Sequence, residues 1–243
     1  MNIMFIFFSQ VNIFVEPPRI ENFYLKGKEY VEVLEIEAHN FSSHIEIFVE
    51  DFNINENGEV EFKPPGTFKF SLSPFVKIIP RSFDIEKNEK KEIRVLFTLP
   101  DTMESYEKWC MVIIKAYPKL EKTAQVRIVG EIGVPIYAMV KNGFSIFPPS
   151  LIDIGKEKNV IYFIIENPLP VHIRTKGKVY ILDEKKENVF EREFKDLVIL
   201  PLKKRKFSFE IKENIKKGKY TLFCEIDYGG SEILLGEKDI DLP

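Results

Sequence analysis

Residues 75–85 read FVKIIPRSFDI, two short apolar runs that meet at a proline and an arginine. Both runs have the composition of β-strands, because aromatic and β-branched residues pack well on a pleated sheet. Proline has no backbone N–H to donate, so within a sheet it is confined to strand ends, edges and bulges. We therefore predict that one strand ends at Pro80, that the chain crosses there to a second sheet, and that Arg81 points outward.

Alternation of apolar and polar residues extends this interpretation to the rest of the chain. Apolar side chains at every second position, with charged ones between them, predict a strand with one buried face. The clearest segments are residues 34–38, 44–50, 92–99 and 207–212. Turn residues such as Asn57-Gly58 and Gly229-Gly230 separate the strands. The chain is therefore predicted to be all-β, built from many short strands as in a β-sandwich.

Three markers recur in the same order along the chain, which indicates two related domains. They are a tyrosine four residues before a cysteine, a strand-ending asparagine before a histidine, and a proline before a basic segment: Tyr106/Cys110 and Tyr220/Cys224, Asn40/His44 and Asn167/His172, Pro80 and Pro201. We predict two immunoglobulin-like β-sandwich domains in tandem, residues 1–140 and residues 141–243.

The bulk composition narrows the classes of function. The 243 residues are 44% hydrophobic and 30% charged, which suits two cores of ordinary size. A net charge of −3 provides no positive surface for nucleic acid, and no stretch approaches the ~20 apolar residues of a membrane span. Cys110 and Cys224 fall in different predicted domains, so we expect two separate buried thiols rather than a disulfide.

The N-terminal segment, MNIMFIFF in residues 1–8, is apolar apart from Asn2. It carries no lysine or arginine and is too short for a full signal sequence. Two interpretations stay open: residues 1–9 are the remnant of a secretory signal whose true start lies upstream, or they form an ordinary first strand. The first interpretation would place the protein in the periplasm or outside the cell.

Sequence motifs for catalysis and cofactor binding are scarce. The chain has no nucleophile elbow, no P-loop and no dinucleotide fingerprint. His39 and His44 lie close to Glu46 in sequence, but a zinc site needs at least three convergent ligands, so we expect no metal and no cofactor. The basic run Lys203-Lys204-Arg205-Lys206 is expected to be a solvated strand edge, with binding to an acidic partner or an anionic cell-surface polymer as the alternative.

The segment 126–136, VRIVGEIGVPI, is predicted to be the long last strand of the first domain. Its even positions are small or apolar: Val126, Ile128, Gly130, Ile132, Val134 and Ile136. One interpretation is an ordinary terminal strand packed in its own sandwich. The other is an edge whose backbone pairs with a partner protein while its alternate side chains fill the partner's groove. An exposed apolar edge is a hazard unless it is used or covered.

The predicted first domain resembles the periplasmic pilus-assembly chaperones, and more loosely the immunoglobulin-like domains related to them. The residues that carry the resemblance follow one another in order: Arg19-Ile20, Gly27, Asn40, the segment 75–95, and LPDTMESYEKWC in residues 99–110. Leu99-Pro100, Glu104-Ser105 and Trp109 match the family's pattern, whereas Thr102-Met103 stands where an acidic–basic pair is usual. The second domain resembles a generic bacterial immunoglobulin-like module with Tyr220 as its corner tyrosine.

The resemblance implies a function as well as a fold. In that family the last strand of the first domain is lent to an incomplete pilus subunit, and two basic residues in the cleft between the domains hold the subunit's C-terminal carboxylate. Arg19 falls on or near the first of these positions. The second, a lysine, should fall near Gly133 or Val134, neither of which can carry a charge. Holding the carboxylate with one cation instead of two loses a charge-assisted bond worth about 1.5–3 kcal/mol.

We therefore expect a non-catalytic, chaperone-like protein-binding module of the cell envelope. Its partner would be a pilus-like or surface subunit, with no role for nucleic acid, a membrane span or a small-molecule cofactor. The residues expected to contact that partner are Arg19, Val126, Ile128, Ile132, Val134 and Ile136. The alternative is a permanent structural subunit of a surface filament or adhesion complex, and a carbohydrate-active enzyme is a more distant one.

Overall fold

The structure is a computed structural model, described here for residues 13–104, 106–119, 129–140, 147–211 and 215–242. In these residues the regular structure consists of β-strands and one short 3-10 helix, Ser73–Phe75, in agreement with the predicted all-β class. No helix in the described part of the chain is long and apolar enough to cross a membrane. The chain divides into two compact units, Met1–Phe52 with Phe62–Lys141, and Asn53–Glu61 with Asn142–Pro243.

Within the described ranges, ten strands build the first sandwich. They are β1 (Ile13–Glu16), β2 (Ile20–Tyr24), β3 (Glu29–Ala38), β4 (Ser43–Ile54), β5 (Val60–Lys63), β6 (Val76–Ile79), β7 (Ser82–Ile85), β8 (Lys90–Thr98), β9 (Glu107–Pro118) and β10 (Gly130–Val140). One sheet has the order β1-β3-β8-β6; the other has the order β2-β10-β9-β4-β5, with β7 also paired to β4. Alternate side chains of both sheets form one hydrophobic core, because each strand buries the face that points at the opposite sheet.

Two prolines lie where the chain crosses between the sheets of this sandwich. Strand β6 pairs with β8 in one sheet and β7 pairs with β4 in the other, so the prediction of a crossing at Pro80 is confirmed. Arg81 is exposed, also as predicted. A second crossing, which we did not predict, joins β1 to β2 through Pro17. The peptide bonds before Pro17 and Pro80 are both cis. Each proline lies just after the end of a strand, where the ladder requires no backbone N–H from it.

Seven strands build the second sandwich. They are β11 (Ser150–Glu157), β12 (Val160–Glu166), β13 (Ile173–Leu182), β14 (Asn188–Ile199), β15 (Lys204–Glu210), β16 (Gly218–Asp227) and β17 (Ile233–Leu242). The sheets have the orders β11-β12-β15 and β14-β13-β16-β17. Phenylalanine rings fill the space between them, with the Phe163 ring 5.0 Å from Phe207 and 5.3 Å from Phe194. The high phenylalanine content of the sequence thus serves core packing in this unit.

The tip of the β4–β5 hairpin, Asn53–Glu61, groups with the second unit although its strands begin in the first. Within the second unit, the backbone N–H of Lys206 donates to the carbonyl of Glu56 at 2.7 Å. An Asn-Gly turn forms the tip, and Gly58 adopts a φ of +86°, a conformation that glycine tolerates best. Sequence patterning alone identified the turn but not the unit to which it belongs.

The cysteine and tyrosine predictions are confirmed. Cys110 and Cys224 are both buried free thiols, on β9 and β16, the strands that pair with the last strand of each sandwich. Burial raises the pKa of the Cys224 thiol to about 11 and that of Cys110 further still. The Tyr220 hydroxyl donates to the carbonyl of Lys216 at 2.8 Å, which is the hydrogen bond of a corner tyrosine.

The basic run Lys203–Lys206 lies at the start of β15, an edge strand of its sheet. Lys204 pairs with Glu166 of the neighbouring strand β12 at 3.5 Å, and Lys206 pairs with Glu157 of β11, the next strand of the sheet, at 3.0 Å. The Lys206 ammonium also lies 4.1 Å from the centre of the Tyr162 ring. These contacts support the interpretation of a charged strand edge, so we propose no anionic partner for the run.

Candidate functional site

Strand β10, Gly130–Val140, begins four residues after the start of the predicted partner-binding strand 126–136 and ends four residues after it, and one of its sides is hydrogen-bonded along its length. It runs antiparallel to β9 from Gly130, opposite Ala116, to Met139, opposite Glu107. This ladder places β10 next to the centre of its sheet and fixes which of its side chains point inward.

The other side of β10 is only half covered. Strand β2 runs parallel to it, with Ile20 opposite Ile136 and Tyr24 opposite Val140. Among the described residues no strand pairs with Gly130–Pro135 on this side, and we call that side of Gly130–Pro135 the open edge. Within the described ranges, the backbone groups of Gly130–Pro135 that point away from β9 thus face no strand of this chain.

The side chains of β10 follow the same division. Val134 and Ile136 are fully buried in the core of their own sandwich, whereas Ile132 is half-buried at its margin. We predicted that all three side chains would reach into a partner, but the first two are already packed against this chain. Val126 and Ile128, also predicted to contact the partner, lie outside the described residues.

The outward face of the open edge carries little that could hold an anion. Glu131 pairs with Lys115 of β9 at 3.2 Å, and this hydrogen bond raises the pKa of Lys115. Gly133 is exposed, and a Cβ added there would lie 3.0 Å from the Met111 sulfur, so a larger residue would require that side chain to shift. Gly133, one of the two positions where the resemblance implies a lysine, is thus uncharged, and the Met111 side chain of β9 leaves little space for a larger residue there.

Arg19 lies at the end of the open edge. It directly precedes Ile20, the first residue of β2, whose partner Ile136 begins the covered part of β10. The Arg19 side chain is about 40% exposed, and its Nε lies 3.3 Å from Glu21 Oε2. The role of Arg19 in holding a partner's carboxylate stays a prediction, and in the free chain the Glu21 carboxylate lies beside its guanidinium.

A buried carboxylate, that of Asp51, lies on β4, the strand that pairs with β9 on the side away from β10. Asp51 accepts hydrogen bonds from the hydroxyls of Ser71 and Ser73 at 2.5 and 2.6 Å and from the backbone of Phe68 at 3.0 Å. Burial alone would raise the pKa of Asp51, but these hydrogen bonds outweigh it and hold the pKa below its ordinary value. These hydrogen bonds hold the segment 68–73, in which the Phe70 ring stacks on the Trp109 ring with 5.0 Å between the ring centres.

The described residues show no cluster of side chains that would bind a metal ion at or near β10. Nowhere in the described ranges do three histidine, cysteine, aspartate or glutamate side chains converge as a bound metal ion would require. Strand β2, which determines how much of β10 has a second neighbour, was not predicted. Its sequence, Ile20–Tyr24, does not alternate between apolar and polar residues, and only Pro17-Pro18 before it marks a break in the chain.

Comparisons with known proteins agree with the architecture. No protein-family model matches the chain, and no curated protein shows significant sequence similarity to it. The YadV chaperone structure matches at 12% identity with a TM-score of 0.53, covering 94% of this chain and 99% of that one. A chain of the CsuC–CsuE chaperone–tip adhesion subunit pre-assembly complex, from the Csu pili of Acinetobacter baumannii, matches at 13% identity with a TM-score of 0.52, covering 93% and 98%. At these identities the likeness concerns the fold. The chain has the fold of the pilus-assembly chaperones, two immunoglobulin-like β-sandwiches in tandem.

Proposed function

We propose that this chain is a chaperone-like protein of the cell envelope that binds a partner subunit, by a binding role that involves no catalysis, through strand pairing along the open edge of β10. The observation that carries the proposal is the half coverage of β10: β9 and β2 flank Ile136–Val140, whereas only β9 flanks Gly130–Pro135 within the described residues. An edge of this kind either invites aggregation or is used for binding.

Backbone hydrogen bonds would provide most of the attraction at the open edge. A partner strand laid along Gly130–Pro135 would extend the sheet beyond β10 in the place that β2 leaves vacant. Ile132, at the margin of the core, would meet the partner's apolar side chains. We further propose that Val126 and Ile128 continue the same apolar row, while Val134 and Ile136 contribute backbone groups alone.

Arg19 would act as a single cationic anchor for a carboxylate of the partner. The anchor is weaker than a two-cation site, because Glu21 already neutralises part of the Arg19 charge and Gly133 offers no second cation. The missing charge-assisted hydrogen bond amounts to about 1.5–3 kcal/mol. Strand pairing must therefore contribute a larger share of the binding, and the affinity should depend only weakly on salt.

The nature of the partner follows by analogy with a matched structure. The Csu complex joins a chaperone to a tip adhesion subunit, so we propose a pilus-like or surface subunit as the partner of this chain. The same analogy supports a location in the periplasm or elsewhere in the cell envelope. Fractionation of the source cells tests the location directly, and recovery only from the cytosol would contradict it.

Capture from the native cell envelope tests the role of the open edge. We expect wild-type protein to retain a β-rich subunit in a one-to-one complex and Ile132→Asp to lose it, because a charge would face the partner's apolar side chains. Leu235→Asp is the matched control, since Leu235 is an apolar residue 62% exposed on β17, an edge strand of the other sandwich. Only variants with the wild-type melting temperature are compared. Equal loss in both variants, or in neither, would contradict the proposal.

Arg19→Ala separates the proposed function from its main rival. A chaperone that anchors its client with Arg19 should lose much of its captured subunit in this variant, while its melting temperature stays unchanged because the Arg19–Glu21 pair is partly exposed. Capture in large, stable assemblies that are indifferent to Arg19 would instead identify a permanent structural subunit of a filament or adhesion complex.

A further inference from the structure

Two residues of the segment FVKIIPRSFDI meet a histidine on the outer face of the first sandwich, away from the open edge. Ser82 and Asp84 lie on β7, and His44 lies on the neighbouring strand β4, directly opposite Asp84. His44 Nδ1 is 2.8 Å from Asp84 Oδ1, and His44 Nε2 is 3.1 Å from Ser82 Oγ. A hydroxyl, an imidazole and a carboxylate are thus connected in that order by hydrogen bonds.

The direction of both hydrogen bonds follows from the charge of Asp84. Hydrogen bonds from Lys119, at 2.8 Å, and from His44 hold the pKa of Asp84 below its ordinary value, so this carboxyl group is ionised near neutral pH. A carboxylate can only accept, so His44 Nδ1 carries the proton that it shares with Asp84. In the neutral imidazole Nε2 is then the acceptor, and Ser82 donates its hydroxyl proton to it.

This arrangement is the one by which a serine becomes a nucleophile: the base takes the hydroxyl proton and a third group holds the base in the required tautomer. It is also accessible. Ser82 is exposed, and the side chains of His44 and Asp84 are 43% and 55% exposed. Of the three residues, His44 also lines an open depression of about 480 Å³, together with Glu46, Tyr117, Pro118 and Lys119.

We propose that Ser82 is an activated nucleophile that accepts the acyl group of small esters, with His44 as its general base and Asp84 as a positioning residue. Ser82 Oγ attacks the ester carbonyl carbon while its proton moves to His44 Nε2, and the bond to the alcohol oxygen breaks. The leaving alcohol takes the proton from His44. Water then hydrolyses the acyl-serine: it gives one proton to His44, its oxygen enters the acid product, and His44 returns the proton to Ser82 Oγ.

The expected acceleration is modest because the groups face water. General-base assistance contributes 10²–10⁴-fold in enzyme sites, and we expect the lower end, roughly 10²-fold over an unassisted serine. The reactivity is independent of the proposed strand pairing, since β7 borders β4 and takes no part in the open edge of β10.

A fluorophosphonate reagent tests the nucleophile in the intact protein, with the labelled peptides identified by mass spectrometry. Ser208 is an internal control, being an exposed strand serine whose cross-strand neighbour is Tyr162. We expect Ser82 to be labelled roughly 10²-fold faster than Ser208, and His44→Ala to reduce it to the Ser208 rate. Equal labelling of the two serines in wild-type protein would overturn the proposal, as would fast labelling that survives His44→Ala.

Hydrolysis of p-nitrophenyl acetate tests the role of Asp84. Asp84→Asn should slow the release of p-nitrophenolate by about tenfold or more through loss of the required tautomer, and Asp84→Glu should restore part of it. Lys119→Ala is the matched control, because it removes another partner of Asp84 but leaves the contact between His44 and Ser82. If Asp84→Asn and Lys119→Ala have the same effect, Asp84 does not position His44.

Discussion

The two halves of β10 belong to one continuous strand but differ in what surrounds them. Ile136–Val140 has strands on both sides, and Ile136 is fully buried. Gly130–Pro135 has a strand partner on one side within the described residues, and Ile132 is half-buried. The difference arises at Pro17, where the chain changes sheet and reaches β10 only from Ile20 onward. The position of one sheet crossing thus sets how much of β10 has a strand on both sides.

The largest expected effect distinguishes the halves by stability. Ile136→Ala removes a fully buried side chain and should lower the free energy of unfolding by about 2–5 kcal/mol. Ile132→Ala, at the margin of the same core, should lower it by about 1 kcal/mol or less. Urea denaturation of the two variants beside wild type measures both values. Equal losses would show that the open half is packed as firmly as the covered half.

A smaller effect concerns the loss of stability at low pH that Asp51 should cause. The pKa of Asp51 is lowered in the folded state, so its contribution to stability is present above the ordinary aspartate pKa of about 3.9 and is lost as the pH falls through the lower folded value. Fluorescence of Trp109, the only tryptophan, reports the loss because its ring stacks on the segment held by Asp51.

Asp51→Asn should cost about 1–3 kcal/mol at neutral pH, because it removes the charge that accepts three hydrogen bonds. Its stability should then vary less between pH 6 and pH 3 than that of wild type. A variant whose acid dependence matches wild type would show that another carboxyl group governs the transition.

The smallest expected effect lies on the outward face of the open half. Glu131→Ala breaks the exposed pair with Lys115 and should leave the melting temperature within error of the wild-type value. A clear loss of stability would mean that Gly130–Pro135 depends on its own side chains, which would leave the open edge less free to accept a partner. Thermal unfolding followed by circular dichroism is sufficient to decide this.

Local sequence chemistry predicted the parts of the fold that proline and alternation determine. Pro80 has no N–H to give to a ladder, so the crossing there could be inferred from one residue. Tyr220 and the two buried cysteines could also be placed, because each depends on its own strand and turn. Features of this kind need no knowledge of which strands become neighbours.

The remaining features depend on strand register, which alternation does not determine. Alternation showed that Ile132, Val134 and Ile136 share a face, but not that the last two are buried in this chain's own core. The parallel pairing of β2 with β10 joins residues more than a hundred positions apart, and no local signal specifies its start at Ile136. His44 and Asp84 likewise become neighbours only through the register of β4 with β7.

Amide hydrogen exchange along β10, measured in the free protein and in the complex captured from the cell envelope, tests the central claim most directly. In the free protein we expect slow exchange throughout Ile136–Val140, and fast exchange for those amides of Gly130–Val134 that face away from β9. In the complex those fast amides should become protected. Unchanged exchange at Gly130–Val134 in a complex that is otherwise intact would contradict the claim that the open edge of β10 binds the partner.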